Sequence, residues 1–171
     1  MNKLIITKGL PASGKSTWSK EYVLANKGTI RVNNDELCEL LFGAPFSGND
    51  TIINNVRMHI VKLAMQKQKD VLVDNTNLHP AREADYKALV DAHNENPDNE
   101  IKYELVIKDF TDVPPQACVV RNAGRSTKVP EKVIWDMYSR YVKGEIPKRA
   151  DTSKMEQKAL IVDIDGTIAD A

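Results

Sequence analysis

The sequence predicts an α/β fold, a parallel sheet flanked by helices, on three observations. Short apolar runs alternate with longer amphipathic segments from the N-terminus onward, which is the order that parallel sheets produce. A glycine-rich turn joins the first apolar run to the first amphipathic segment. The 171 residues are 42% hydrophobic and 28% charged, which suits one globular domain with a buried core and not a disordered chain.

The first half of the chain is predicted to supply three strands and three helices. In order, the pattern predicts a strand over 4–7, a helix over 15–26, a strand over 29–32, a short helix capped by 33–35, a loop over 43–50, a helix from 51 and a strand over 71–73. Gly28 ends the first helix. One apolar face is expected on the helix from 51, made by Ile52, Ile53, Val56, Ile60, Leu63 and Ala64.

Prolines mark the helices of the second half. Pro80 is a good first-turn residue for a helix, and a polar connection over 94–100 leads to a strand over 101–107. Pro114 and Pro130 open two further helices, which are predicted to end at Gly124 and Lys143. The α/β pattern therefore extends over residues 1–143.

The composition changes after residue 143. Residues 144–158 contain almost no apolar side chains and are predicted to form a linker. Residues 159–171 then read as one strand and a turn, and a lone strand cannot bury itself. We therefore expect three parts: a domain over 1–143, a linker over 144–158, and the first strand of a second domain over 159–171.

Cysteine content and hydropathy narrow the protein class. Cys38 and Cys118 are far apart and belong to no Cys/His cluster, so a reducing compartment is expected. No apolar run approaches the roughly 20 residues that span a bilayer, so we predict a cytoplasmic protein with no membrane partner. Lysine plus arginine and aspartate plus glutamate number 24 each. This balance is uneven along the chain, because residues 83–112 hold nine acidic and three basic groups, whereas 116–150 hold three acidic and eight basic ones. The neutral total therefore does not argue against a nucleic-acid partner.

The glycine-rich turn matches the phosphate-binding pattern G-x-x-x-x-G-K-[ST]. Its predicted ATP-binding residues are Gly9, Leu10, Pro11, Ala12, Ser13, Gly14, Lys15, Ser16 and Thr17. An apolar strand enters the loop and an amphipathic helix leaves it, which is the context in which such a loop binds phosphate through backbone N–H groups. Lys15 is expected to contact the β and γ phosphates, and the Ser16 hydroxyl is expected to be a ligand of Mg²⁺. ATP and Mg²⁺ are the predicted cofactors.

Two aspartates follow predicted strands, Asp35 after the second and Asp74 after the third. The carboxyl ends of strands in open α/β sheets face the ligand crevice. A phosphoryl-transfer enzyme needs one carboxylate at the acceptor hydroxyl as general base, and a second can hold the metal. The plainer alternatives are a helix N-cap for Asp35 and a turn closure for Asp74.

Arg121 and Arg125 are expected to lie on a lid. They are followed by a polar stretch that Gly124 interrupts, before Pro130. Arginine binds phosphate oxygens in pairs and stays charged, so both residues are predicted to contact ATP, with Arg125 also catalytic. The alternative is a solvated helix end with cations that favour the dipole.

These segments together resemble the 5′-kinase domain of the bacteriophage polynucleotide kinase/phosphatase family. The similarity is carried by KLIITKGLPASGKSTW, VNNDE, DNTNLHP, VVRNAGRSTKVPEKVI and the terminal VDIDGTIAD. It implies an adenylate-kinase-like P-loop kinase that transfers the γ-phosphoryl of ATP to a 5′-hydroxyl end of DNA or RNA. It further implies that Asp35 is the general base, that Lys15 and Ser16 serve ATP and Mg²⁺, that Arg121 and Arg125 form the lid, and that a homo-oligomer is plausible for the full-length protein.

The acceptor side departs from that family. The phage enzymes have arginine immediately before the base and three residues after it, where this chain has Asn34 and Cys38. The contact to the acceptor then has to come from elsewhere, and Arg31 and Arg57 are the candidates. Their Asp-Thr-Asn reads Asn-Thr-Asn here, which leaves Asp74, Thr76 and Asn77 as the candidate substrate residues of this segment.

The terminal D-x-D-G-T resembles the first motif of haloacid-dehalogenase-type phosphatases. Asp163 would be the nucleophile and Asp165 the acid/base partner, but such enzymes need residues from later strands. We therefore expect a vestigial motif, cut just inside a phosphatase domain.

Two alternatives to a polynucleotide kinase stay open. One is a P-loop kinase of a small hydroxylated metabolite or a nucleotide sugar, which would share Lys15 and Asp35. The other is a nucleotide-gated nucleic-acid-binding module without catalysis.

Overall fold

A computed structural model describes residues 1–45 and 48–144 of the protein and contains a parallel sheet with helices packed around it. The elements are β1 (Asn2–Lys8), α1 (Lys15–Ala25), β2 (Ile30–Val32), α2 (Asn34–Phe42), α3 (Asp50–Gln66), β3 (Val71–Val73), α4 (Pro80–Glu95), β4 (Tyr103–Asp109), α5 (Pro115–Ala123), α6 (Glu131–Met137) and a π-helical turn (Tyr138–Val142). The predicted α/β class is confirmed.

The four strands are ordered β2-β3-β1-β4, and every pair is parallel. Ile5 of β1 pairs with Leu72 of β3 on one side and with Val106 of β4 on the other. The strand β1 is central and its residues Leu4, Ile5 and Ile6 are at most 2% exposed. Because β1 and β3 are neighbours, the loops that leave their carboxyl ends meet at one edge of the sheet.

The predicted apolar face of α3 is wrong in part. Ile52 and Leu63 are 49% and 46% exposed. The buried positions are Ile53, Arg57, Val61, Ala64 and Met65. They follow a regular helical spacing, but a buried arginine occupies the second of them. Charged residues are normally exposed, so the apolar pattern alone predicts a face rotated from the observed one.

The strand β4 begins two residues later than predicted. Its first residue, Tyr103, pairs with Asn2 of β1. The Asn94 side chain accepts from the Tyr103 N–H and donates to the Tyr103 carbonyl, both at 2.8 Å. The Ile101 carbonyl, before the strand, lies 3.0 Å from Nε2 of His93. These side chains of α4 hold the start of β4 in place.

The C-terminal predictions are only partly covered by the described residues. The last helix ends at Met137 and continues as the π-helical turn up to Val142. The linker beyond Gly144 and the segment 159–171, with Asp163 and Asp165, lie outside the described residues. Within the described ranges, no helix has the length and hydropathy that a bilayer crossing requires.

Candidate active site

The loop from Gly9 to Ser16 connects β1 to α1 and has the backbone of a phosphate cradle. Ala12 and Gly14 adopt the left-handed region, with φ of 61° and 105°. The Gly9 N–H donates to the Thr76 carbonyl at 2.9 Å, which ties the loop to the segment that leaves β3. The start of α1 adds the partial positive charge of a helix N-terminus. This arrangement suits the phosphates of a nucleotide.

Gly9 is required by its surroundings, and Gly9→Ala is expected to destabilise the fold by about 1–3 kcal/mol. A Cβ at this position would lie 2.9 Å from Cβ of Phe110 and 3.0 Å from Oγ of Ser13, at a φ of 155°. Urea unfolding measures the change. Gly124→Ala is the matched control, because its Cβ would meet only the Arg121 carbonyl at 3.7 Å. Equal effects of the two substitutions would contradict this account.

Lys15 is buried at the start of α1 and is 6% exposed. Its Nζ donates to the Leu10 carbonyl at 2.6 Å, with Oγ of Ser13 at 3.4 Å. Burial lowers the pKa of Lys15 to about 8, although the nearby carboxylate of Asp74 acts in the opposite direction. The Lys15 amine is therefore held against the loop, where incoming phosphates would favour its protonated, charged form.

Asp74 links the phosphate loop to β2. Its Oδ1 accepts from the Ser16 hydroxyl at 3.3 Å, and its Oδ2 accepts from Arg31 Nε and Nη2 at 3.0 and 2.5 Å. The Asp74 side chain is fully buried and that of Arg31 is 12% exposed. Arg31 also forms an ion pair with Glu36, which lowers the pKa of that carboxyl mainly through hydrogen bonding.

The pair of Ser16 and Asp74 fits a magnesium ion by donor chemistry. A hydroxyl and a carboxylate oxygen are the hard ligands that Mg²⁺ prefers, and Mg²⁺ typically takes few protein ligands beside water and phosphate oxygens. In residues 1–45 and 48–144 no cluster of three or more His, Cys, Asp or Glu residues is placed to bind a metal. The described part of the chain therefore suits a metal that ATP would help to hold, and not a closed structural site.

Asp35 lies in the first turn of α2, and the alternative role for it as N-cap does not apply. The cap is Asn33, whose side chain accepts from the Glu36 N–H at 3.0 Å. The Asp35 carboxylate is left facing the cleft. Partial desolvation raises the pKa of Asp35, while the guanidinium of Arg125 opposes the rise. A carboxylate with a raised pKa, next to residues that can bind phosphate, is suited to accept a proton.

The two predicted lid arginines, Arg121 and Arg125, lie close to these groups and line the same cleft. Arg121 donates to the Ser13 carbonyl at 3.3 Å, and Arg125 is close enough to affect the pKa of both Lys15 and Asp35. The base of the loop that carries Arg125 is fixed, because the Asn122 side chain bonds both the N–H and the carbonyl of Val129, at 3.1 and 2.7 Å.

A cleft of about 820 Å³ joins these groups, a volume typical of small-molecule sites. Of the predicted site residues it is lined by Pro11, Ala12, Gly14, Lys15, Ser16, Thr17, Asp35, Asp74, Thr76, Arg121 and Arg125. Gly9, Leu10 and Ser13 belong to the loop but are buried and do not line the cleft. Asn77, Arg31 and Arg57 do not line the cleft. Asn77 is buried with a φ of 43° and donates to the Thr7 carbonyl at 2.9 Å, so it holds the loop after β3 in place.

Several cleft residues were not predicted as site residues. They are Trp18, Glu21, Asn33, Asn34, Asn75, Val129, Val133 and Met137. Asn34 and Asn75 are next to predicted residues in the sequence. The sequence alone does not show whether an asparagine in a turn contacts a ligand or caps a helix. Trp18 belongs to α1, whereas Val129, Val133 and Met137 come from α6 and its approach, and only the packing of that helix brings these three to the cleft.

Residues 4–143 match the model of a protein family described as AAA domain. The chain belongs to this family. The match covers the whole fold described above, including the phosphate loop and the predicted lid. With the parallel sheet and the loop geometry, it establishes a nucleotide-binding P-loop domain with the fold of the P-loop kinases.

Similar proteins of this AAA-domain chain include kinases and RNA repair components. It is 28% identical over 141 residues to an L-seryl-tRNA(Sec) kinase of Methanococcus maripaludis, with 81% of this chain and 52% of that protein covered. A chain in the structure of the Pnkp1/Rnl/Hen1 RNA repair complex superposes with a TM-score of 0.67 and 22% identity, over 85% of this chain and 46% of the other. A second Pnkp1/Rnl/Hen1 complex gives 0.57 and 25%, over 75% and 40%. The chain thus spans about half the length of these relatives. The superpositions show a shared fold.

Proposed function

We propose that the protein transfers the γ-phosphoryl group of ATP to a hydroxyl carried by a nucleic acid, with the 5′-hydroxyl end of DNA or RNA as the leading acceptor. The observation that carries this proposal is the single cleft that Lys15, Ser16, Asp35 and Asp74 share. A phosphate cradle, a metal-binding pair and a carboxylate with a raised pKa are the parts that phosphoryl transfer to a hydroxyl needs.

The residues divide the work between donor and acceptor. The backbone of the loop and Lys15 bind the β and γ phosphates, and Arg121 and Arg125 neutralise charge that develops on the transferred group. Ser16 and Asp74 would hold Mg²⁺, which supplies charge neutralisation at the phosphate oxygens when it is bound. Asp35 orients the acceptor hydroxyl and takes its proton as the new O–P bond forms.

Two of the relatives support a nucleic-acid acceptor. The superposed chains come from Pnkp1/Rnl/Hen1 complexes, one of them described as an RNA repair complex. The segment 116–150, which contains Arg121 and Arg125, has eight basic and three acidic residues. That excess is the charge that a phosphate backbone would favour.

The serine hydroxyl of a seryl-tRNA is the second candidate acceptor. The 28% identity to an L-seryl-tRNA(Sec) kinase over 81% of this chain favours it. Both acceptors present a primary hydroxyl at the end of a nucleic acid, so the same base and phosphate loop would serve either.

Transfer from γ-labelled ATP tests the proposal. The protein is incubated with Mg²⁺ and, separately, with a 5′-hydroxyl oligonucleotide, a 5′-phosphorylated oligonucleotide, seryl-tRNA and uncharged tRNA bearing a 5′-phosphate. Label on the first alone supports the leading acceptor, and label on seryl-tRNA alone supports the second. If none of them becomes labelled, the proposal of a nucleic-acid acceptor is wrong. A kinase of a small metabolite or a binding module without catalysis would then be the remaining alternatives.

Binding of ATP is expected to be accompanied by proton uptake at Lys15. The pKa of Lys15 is about 8 without nucleotide, so at pH 8 about half of the molecules carry a neutral amine. Phosphates next to Nζ raise the pKa again, and about half a proton per site is taken up. Calorimetric titration with ATP in two buffers of different ionisation enthalpy measures this uptake. Lys15→Arg, which stays charged at any of these pH values, should abolish it. Equal enthalpies for the wild type in both buffers would contradict the prediction.

A further inference from the structure

Arg57 of α3 is a buried cation that lies beside the acceptor side of the cleft. It is 4% exposed, and within the described residues it forms no ion pair with a carboxylate. Its Nη1 donates to Oδ1 of Asn34 at 3.0 Å and to Oδ1 of Asn54 at 2.9 Å. Burying a charge without a counter-ion costs free energy of folding. A buried, unpaired arginine is therefore expected to have a role in the protein.

The contact to Asn34 determines what that residue offers to the cleft. Asn34 is the first residue of α2, next to Asp35, and lines the cleft. Its Oδ1 accepts from Arg57 and also from Nδ2 of Asn75 at 3.3 Å, so both lone pairs are used. Because a guanidinium has donors only, the amide of Asn34 cannot turn its nitrogen toward Arg57.

Only N–H groups are therefore left for a ligand. One is directed to Oδ1 of Asn54 over a long distance of 3.4 Å, and the amide nitrogen has a second hydrogen. The backbone of Asn34 is held as well, because its N–H donates to Oδ1 of Asn75 at 2.9 Å. Asn34 thus presents a fixed hydrogen-bond donor beside the carboxylate of Asp35.

We propose that Arg57 is a positioning residue which fixes Asn34 as a hydrogen-bond donor to the acceptor substrate. The substrate class is then a hydroxyl with a hydrogen-bond-accepting oxygen a few bonds away, such as a sugar-ring, ester or phosphate oxygen. The inference rests on the proposed function, because it assigns the acceptor to the side of the cleft that carries Asp35. The acceptor would be recognised by the neutral side-chain amide of Asn34, and the buried charge of Arg57 would fix the orientation of that amide.

Kinetic substitution tests the proposal. Both Arg57→Met and Asn34→Ala are expected to raise KM for the acceptor by roughly tenfold, the size of one lost hydrogen bond to substrate, with KM for ATP changed by less than about twofold. The double variant R57M/N34A should match N34A, because Arg57 acts through Asn34. Arg57→Lys retains a cationic donor and should recover part of the loss. Arg82→Met is the matched control, since Arg82 pairs with Asp85 on the surface.

Modified acceptor substrates identify which substrate oxygen accepts the hydrogen bond from Asn34. One oligonucleotide carries a carbocyclic first sugar, which lacks the ring oxygen, and another carries a methylphosphonate as its first linkage. The modification that raises KM in the wild type but not in N34A identifies the oxygen that Asn34 contacts. If neither modification distinguishes the two proteins, Asn34 does not bind an oxygen of the acceptor and the proposal is overturned.

A measurement that does not depend on enzyme activity tests the role of Arg57 separately from the proposed kinase function. The side-chain amide of Asn34, followed by ¹⁵N NMR, is expected to have a dispersed, slowly exchanging signal that collapses in R57M and survives in R82M. Thermal unfolding identifies variants that fail to fold. An unchanged Asn34 signal in folded R57M, or additive effects in the double variant, overturns the proposal. If the wild type phosphorylates no acceptor, the proposed function and the acceptor role of Asn34 both fail, whereas the NMR result still decides whether Arg57 orients Asn34.

Discussion

Asp35→Asn lowers kcat for phosphoryl transfer by about 10²–10⁴-fold, the usual contribution of a general base, and leaves ATP binding near the wild-type level. The reason is geometric. Asn33 caps α2, so the amide at position 35 preserves the helix and only the ability to take a proton is lost. Transfer from labelled ATP measures kcat, and binding of a fluorescent ATP analogue measures the nucleotide site. Asp98→Asn, in an exposed connection, is the control.

The pH profile provides a second check on Asp35. The base works only when it is ionised, so activity falls as the pH falls through the pKa of Asp35. Because desolvation raises that pKa, the acidic limb lies above the ordinary range of an aspartate. Arg125 lowers the pKa of Asp35, so Arg125→Met should move the limb to still higher pH. Wild-type transfer rates in D35N, or a limb that does not respond to R125M, would show that another group is the base.

Asp74→Ala is expected to cost about 1.5–3 kcal/mol in the free energy of unfolding, the size of a lost hydrogen bond to a charged group, because Arg31 loses its fully buried partner and keeps only Glu36. The ion pair at 2.5 Å joins a fully buried carboxylate to an arginine that is 12% exposed. The same change removes the acceptor of the Ser16 hydroxyl and thus half of the proposed magnesium pair. Urea unfolding measures the first effect, and Mn²⁺ binding in the presence of a non-hydrolysable ATP analogue measures the second.

A surface ion pair supplies the comparison for Asp74. Asp91 pairs with Lys87 at 2.7 Å, but both side chains are at least half exposed, and Asp91→Ala should change stability by less than about 1 kcal/mol. In the double variant R31M/D74A the guanidinium that has lost its buried partner is gone, so part of the lost stability should return while metal binding stays weak. If D74A and D91A are equally mild, the buried pair is not the anchor between β2 and β3 that the geometry indicates.

The phosphate loop could be predicted from the sequence because its chemistry is local. Glycine, lysine and serine at fixed spacing, between an apolar strand and an amphipathic helix, leave few other structures for that segment. Asp35 and Asp74 were predictable as site residues for a similar reason, since each follows a strand and parallel strands end at one edge. The cap at Asn33 was open in the sequence, where either of two asparagines could serve, and the structure decided it.

The acceptor side could not be predicted in the same way. From the pattern, Arg31 and Arg57 were equally good candidates for a phosphate contact. In the structure Arg31 binds two carboxylates and Arg57 lies buried behind Asn34. The buried arginine also rotated the predicted face of α3. A charged residue is predicted to be exposed to solvent unless its partners are known. The partners of Arg57 are Asn34 of α2, 23 positions away, and Asn54 of its own helix.

The sequence by itself thus determined the α/β class, the nucleotide loop and the two carboxylates, because each depends on residues close together in the chain and on a periodicity that the backbone imposes. Only the tertiary structure decided that Arg31 binds Asp74 and Glu36, that Arg57 lies buried behind Asn34, and which side chains of α6 reach the cleft. Those assignments depend on contacts between elements far apart in the chain, where a long flexible cation has many possible partners and packing selects among them.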